Sequence, residues 1–330
     1  MLLTAAPFAL SSQETTAPSG TGSHAALARP TKRQLVWRDS TTAFVYTRPQ
    51  PFRAVTGIPK TLGITARETF RARNVPMMLV VTTSTLALIA IDEPVLHESR
   101  RLAWRLGLPP NHPSANVRLG PFKMAFPTTV GSGLYFIGDG LTSVGLASAF
   151  AARGALANDM RARRTASEVI EALLASGTVA QALKHVAGRQ TPSEATVPRG
   201  RWRPFPNLRD YSANVPAYDA FPSGHLTTTM AVVTVIAGNY PEHRFIWPVA
   251  AVTMGALSFT MVNNGVHWAS DYPLALAIGT AVGKVVVARG RLVVRRPANP
   301  SDAVPPATHQ SRVHITPLLG AGVLGLRASW

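Results

Sequence analysis

Six apolar stretches dominate the chain, at 75–91, 128–152, 167–186, 226–240, 245–262 and 272–288. Each approaches the roughly 20 residues that cross bilayer hydrocarbon, so the pattern predicts six helices of near-spanning length. The third is the least apolar, because Glu168, Glu171, Gln181 and Lys184 interrupt it. The second carries Gly131, Gly133, Gly138, Gly140 and Gly145, small residues of the kind that let membrane helices approach closely. Asp139, in its middle, is expected to face the bundle interior.

The polar segments divide these runs. Residues 92–127 contain Pro109, Pro110, Pro113, Pro121 and Pro127 and read as loop. Residues 187–222 form a second loop, rich in Arg and Pro, and loops of that length are usually functional or disordered. The expected architecture is therefore an all-α, six-helix transmembrane bundle over 75–290. Residues 1–74 are expected to be a partly disordered leader and basic segment, with Pro49, Pro51 and Pro59 breaking any long helix. Residues 291–330 are expected to be a tail.

If all six helices span, the loops 92–127, 187–222 and 263–270 share one side of the membrane. Arg153, Arg161, Arg163 and Arg164, with Arg289, Arg291, Arg295 and Arg296, fall on the other. The excess of arginine marks that other side as cytoplasmic. Arg199, Arg201, Arg203 and Arg209 run against this bias, which points them toward substrate rather than orientation.

Composition narrows the class. Only 15% of residues are charged, against about a quarter in soluble domains, and 46% are apolar. There is no cysteine, which excludes disulfides, a thiolate nucleophile and thiolate metal ligands. The net charge of +17 comes mainly from arginines that are scattered or flank apolar runs, and no nucleic-acid-binding motif is present. The partners this predicts are a membrane and phosphorylated or anionic lipid, not nucleic acid. Oligomeric state is not legible.

Two histidines stand where apolar runs begin. Phe221-Pro222-Ser223-Gly224-His225 precedes the fourth run, and Asn264-Gly265-Val266-His267-Trp268-Ala269-Ser270-Asp271 precedes the sixth. Ser223 and Asp271 are good N-cap residues, and a helix start offers free backbone N–H groups to an anion. Gly224 permits close backbone approach, and His225 stands where a leaving group would need a proton. His267 and Asp271 lie four apart, so the carboxylate can hold one ring nitrogen and leave the other free. A structural ion pair and a plain turn before a helix fit the same residues.

With Lys184-His185-Val186-Ala187-Gly188-Arg189-Gln190-Thr191-Pro192 upstream, the set resembles the type 2 phosphatidic acid phosphatase superfamily. That group holds membrane lipid phosphatases, bacterial acid phosphatases and vanadium haloperoxidases. The resemblance covers about 150–288. It implies a phosphatase in which His267 is the nucleophile, Asp271 orients it and His225 serves the leaving group. It also implies that Lys184, Ser223 and the Gly224 amide hold the phosphoryl oxygens. It implies no metal and no cofactor for the phosphatase members. The substrate would be a phosphomonoester or pyrophosphate of a lipid or isoprenoid, acted on at the extracytoplasmic face.

The family pattern has arginines where this chain has Thr191 and Met261. One preorganised donor is typically worth about 2.7–4 kcal/mol in a transition state. Arg189, two residues before Thr191, is the expected substitute, pointing into the phosphate site. The alternatives are a non-catalytic or weakly active membrane homologue with a degenerate phosphate site, and a soluble acid phosphatase or haloperoxidase-like protein.

Overall fold

The computed structural model describes residues 33–38, 42–108, 110, 114–119, 122–295, 314–320 and 323–329. Two strands come first, β1 (Arg33–Trp37) and β2 (Thr42–Thr47), then the short helix α1 (Arg53–Thr56) and α2 (Ile58–Thr69). Pro59 lies in the first turn of α2, where a missing N–H is harmless, so it starts a helix instead of breaking one. Helix α3 (Val75–Arg105) is followed by a hairpin of β3 (Ser114–Leu119) and β4 (Phe122–Pro127). The helices α4 (Val130–Ile137), α5 (Gly140–Leu156), α6 (Met160–Ala187), α7 (Leu208–Ala213), α8 (Gly224–Asn239), α9 (Ile246–Asn263) and α10 (Tyr272–Gly290) complete the bundle. Strand β5 (Leu292–Arg295) and a hairpin of β6 (His314–Gly320) and β7 (Val323–Ser329) close the chain.

All six apolar stretches are helical, but they are not equivalent. Three helical segments, 72–105, 246–263 and 269–290, are long and apolar enough to cross a membrane. The pair α4–α5, bent by 66°, makes a fourth if it is one span. The protein is a membrane protein of mostly helical fold. Helices α6 and α8 are not among those segments, for different reasons. The first carries Arg161, Arg164, Glu168 and Glu171, all buried, and the second has only 16 residues. They form the enclosed centre, where Val169, Ala172 and Ala175 of α6 meet Ala231, Val232 and Val235 of α8 and Val282 and Val286 of α10.

The expected glycine packing of the second run is found at Gly138, where a Cβ would lie 2.8 Å from Leu257 Cδ2 and 2.9 Å from His225 Cβ, whereas one at Gly133, Gly140 or Gly145 would meet nothing. Another close approach is on α10, where a Cβ at Gly283 would lie 2.6 Å from Thr234 Cβ and 2.7 Å from the Ala231 carbonyl oxygen. Gly279 abuts the Thr227 carbonyl one turn earlier. Asp139 does not face the interior as a packed acid. It caps α5, accepting from the Leu141 N–H at 2.8 Å.

Helix α3 departs most from the pattern. It continues past the apolar run, through Pro94, to Arg105. Only 6% of its apolar window is buried, which leaves Leu79, Val80 and Leu86 facing outward, as lipid contact requires. Asp92, Leu96 and Ala103 alone are buried, and they form its attachment to the bundle.

Strands β1, β2 and β5 form one antiparallel sheet at the end of the bundle where α8 and α10 finish. There Tyr46 donates to the Asn239 carbonyl at 3.2 Å, and Arg161 donates to the same oxygen at 2.6 Å and to Glu242 at 2.7 Å. Arg289 reaches Glu171 at 2.6 Å. Part of the expected leader and tail is thus ordered sheet. The burial of Ala43, Phe44, Val45 and Tyr46 against the bundle end explains why. Residues 1–32, where the disordered leader was expected, lie outside the described residues.

Candidate active site

The starts of α8 and α10 and the end of α6 meet at the opposite end of the bundle from the sheet. Helix α6 stops at Gly188, which takes a left-handed conformation with φ 55°. That turn sets Arg189 as a β-bridge partner of both Trp202 and Asp219. The loop 189–222 is therefore stitched back across the end of the bundle. Ser223 caps α8, its backbone N–H donating to the Asp271 carbonyl at 3.1 Å. This bond ties the two histidine segments together.

His267 is 2% exposed. Its Nδ1 lies 2.7 Å from the Ala220 carbonyl oxygen and 3.5 Å from Asp271 Oδ2. The carbonyl is the nearer partner, a contact that sequence reasoning missed because no side chain announces it. His225 lies across from it, with ring centroids 6.4 Å apart and edge-on, and packs on Tyr135 of α4 at 4.6 Å. Lys184 Nζ donates to Asp219 Oδ2 at 3.0 Å. A Cβ on Gly224 would lie 3.7 Å from that same ammonium, so Lys184 sits over the first turn of α8. The geometry brings Lys184, Ser223, Gly224, His225, His267 and Asp271 into one place.

Asp271 does not cap α10 with its side chain. Its Oδ2 accepts from the Trp268 N–H at 2.7 Å and its Oδ1 from Arg189 Nη1 at 2.6 Å. Met261, at one of the two positions where the resemblance leads one to expect arginine, is fully buried with its sulfur 3.8 Å from Ser223 Oγ. Thr191, at the other, pairs with Ser193 Oγ at 3.0 Å.

Arg189 is placed differently from the expected phosphate clamp. It is fully buried, between Trp202 and Trp268 at 4.8 and 5.2 Å from the ring centroids. Nη1 donates to Ser270 Oγ and Asp271 Oδ1, Nη2 to Asp92 Oδ2 and the Arg199 carbonyl, and Nε to that carbonyl. A guanidinium has five N–H bonds, and these contacts use all of them. A fully buried charge is held by paired carboxylates before it is free for any ligand. Asp92 was missed from the sequence. Its one signal was an acid where the apolar pattern of α3 stops while the helix does not.

Among the described residues, no group of three or more His, Cys, Asp or Glu is arranged to hold a metal ion.

Residues 165–292 match the family model of the PAP2 superfamily. A lipid A 1-phosphatase of Rhizobium etli is 30% identical over 111 residues, 32% of this chain. The aligned part spans 41% of that relative's length. A solved structure, a transmembrane PAP2-type phosphatidylglycerolphosphate phosphatase from Bacillus subtilis, is 16% identical. It covers 71% of this chain and 94% of its own, with a TM-score of 0.36. Over residues 165–292, rather less than half of its length, the chain is similar to the PAP2 superfamily.

Proposed function

We propose that the chain is a membrane phosphatase. It hydrolyses a phosphomonoester or pyrophosphate of a lipid or isoprenoid through a phosphohistidine on His267, with the site on the extracytoplasmic face. The observation that carries this reading is the 2.7 Å contact of His267 Nδ1 with the Ala220 carbonyl. A carbonyl only accepts, so the neutral ring keeps its proton on Nδ1 and its lone pair on Nε2. That is the state a nucleophile needs. The superfamily match and the lipid phosphatase relative support the reaction class.

Nε2 attacks phosphorus, and the bond to the leaving oxygen breaks. His225, protonated, gives that oxygen its proton. A water then attacks the phosphohistidine, His225 takes the water's proton, and the N–P bond breaks to release phosphate. Lys184, Ser223 Oγ and the Gly224 amide meet the phosphoryl oxygens. Asp271 orients the nucleophile and stabilises the cation that forms on the ring. Metal and cofactor have no place in these steps.

The test is phosphate release from phosphatidic acid and from farnesyl diphosphate in detergent micelles. Wild-type protein should release phosphate, and His267→Ala should not. Equal rates in the two, or none from wild type, would overturn the proposal.

A second reading, a weakly active or non-catalytic homologue, draws on Arg189. With all five donors committed, it leaves Lys184 as the cation nearest the start of α8. Vanadate binding by calorimetry without phosphate release would favour this reading.

A further inference from the structure

We infer that Asp92, on the lipid-facing helix α3 and outside the superfamily match, is a positioning residue for His267 that acts through Arg189, Ser270 and Asp271. This rests on the phosphatase reading. His267 Nδ1 has two acceptors near it, the Ala220 carbonyl at 2.7 Å and Asp271 Oδ2 at 3.5 Å. Arg189 fixes both. Its carbonyl accepts from the Ala220 N–H at 3.0 Å, and its Nη1 holds Asp271 Oδ1 at 2.6 Å. What fixes Arg189 from the other side is Asp92, whose Oδ2 accepts from Nη2 at 2.7 Å.

Asp92 has a second grip on the same loop. It accepts from Ser270 Oγ at 2.6 Å and from the Ser270 N–H at 3.1 Å, one residue before Asp271. Asp92, Arg189, Ser270 and Asp271 are all buried, between 0 and 1% exposed. Water does not compete for these bonds, and a buried network of this kind has one low-energy arrangement. One guanidinium faces two carboxylates. The cluster thus keeps one unit of negative charge beside a ring that becomes cationic when it is phosphorylated. Neutralising Asp92 releases Arg189 to neutralise Asp271 alone, and it also loosens Ser270.

Asp92 touches no reacting atom, so its effect belongs in the rate of phosphoryl transfer to His267. It does not belong in substrate binding. A catalytic constellation loses rate when its support loosens, even with every catalytic group present.

The experiment is single-turnover trapping of the phosphoenzyme, with radiolabelled phosphatidic acid in micelles, on wild type, Asp92→Asn, Ser270→Ala and His267→Ala. The rate constant reports positioning, and the trapped amplitude reports the fraction of competent molecules. Asp92→Asn should lower the rate constant at least tenfold at wild-type amplitude. Ser270→Ala, which keeps every charge, should lower it two- to fivefold. A wild-type rate constant in Asp92→Asn overturns the inference and leaves the phosphatase reading intact. So does lost amplitude with an unchanged rate constant in both variants, the signature of a purely structural role. No trapped phosphoenzyme in wild type overturns both.

Discussion

Lys184 donates to Asp219 Oδ2 across 3.0 Å, directly over the first turn of α8. The lysine charge is therefore shared with a carboxylate before any phosphate arrives. Asp219 is 24% exposed at its side chain, and pairs that open to water are worth up to about 1 kcal/mol. Asp219→Asn should free that much for an anionic substrate. The expected result in steady-state kinetics is a KM lowered about fivefold, with kcat little changed. A raised KM would mean that Asp219 holds Lys184 in its working position.

The contact of α8 with α10 gives a stability prediction. A Cβ added at Gly283 would lie too close to Thr234 and to the Ala231 carbonyl, and backbone cannot move aside as a side-chain tip can. Overpacking of this kind costs about 1–3 kcal/mol, and a longer side chain costs more. Gly283→Leu should lower the thermal unfolding midpoint in micelles by several degrees. Gly255→Leu on α9, where a Cβ meets nothing, should leave it near wild type.

The helices and the histidine turns were legible because their signals are local. Apolar runs of spanning length become helix whatever they pack on, and Ser223 caps α8 through atoms three residues apart. What was not legible depends on partners distant in sequence. Asp92 and Ser270 are bonded across 178 positions. Nothing in the pattern of 75–91 says that the next residue will be held by an arginine near 190. Strand β2, Thr42–Thr47, lies in a segment that reads as basic and mixed sequence until β1 and β5 supply its edges. Arg189 stands apart from its expected direction for the opposite reason. Its place in sequence, beside Thr191, invited a phosphate role, while its burial between two tryptophans was decided by the loop's return path.

Orientation in the membrane has a direct test, because the chain has no native cysteine. Ala213, the last residue of α7, and Arg244, in the turn after α8, are both exposed and lie in the connections that flank α8 on either side. With the site on the extracytoplasmic side, Ala213→Cys should react with a membrane-impermeant maleimide in intact cells. Arg244→Cys should react only after lysis. The reverse pattern would put the site on the cytoplasmic face.

Placing arginine at Thr191 and Met261, where the resemblance leads one to expect it, separates a compensated site from a depleted one. The position of Met261 is fully buried beside Ser223, among Leu226, Leu257 and Ala275. Arginine there would be an unpaired buried charge in the free protein, which costs several kcal/mol. A bound phosphoryl group would supply the missing partner. Met261→Arg should therefore unfold at a lower temperature than wild type in phosphate-free buffer. Vanadate should recover much of the loss, since a ligand that binds only the folded state stabilises it by mass action. Wild type should respond less. In turnover, Thr191→Arg with Met261→Arg should gain at least tenfold in kcat/KM, because Arg189 has no N–H left to act as a clamp. No gain from a folded double variant would mean that another group, such as a loop arginine between 199 and 209, already meets the transferring phosphate.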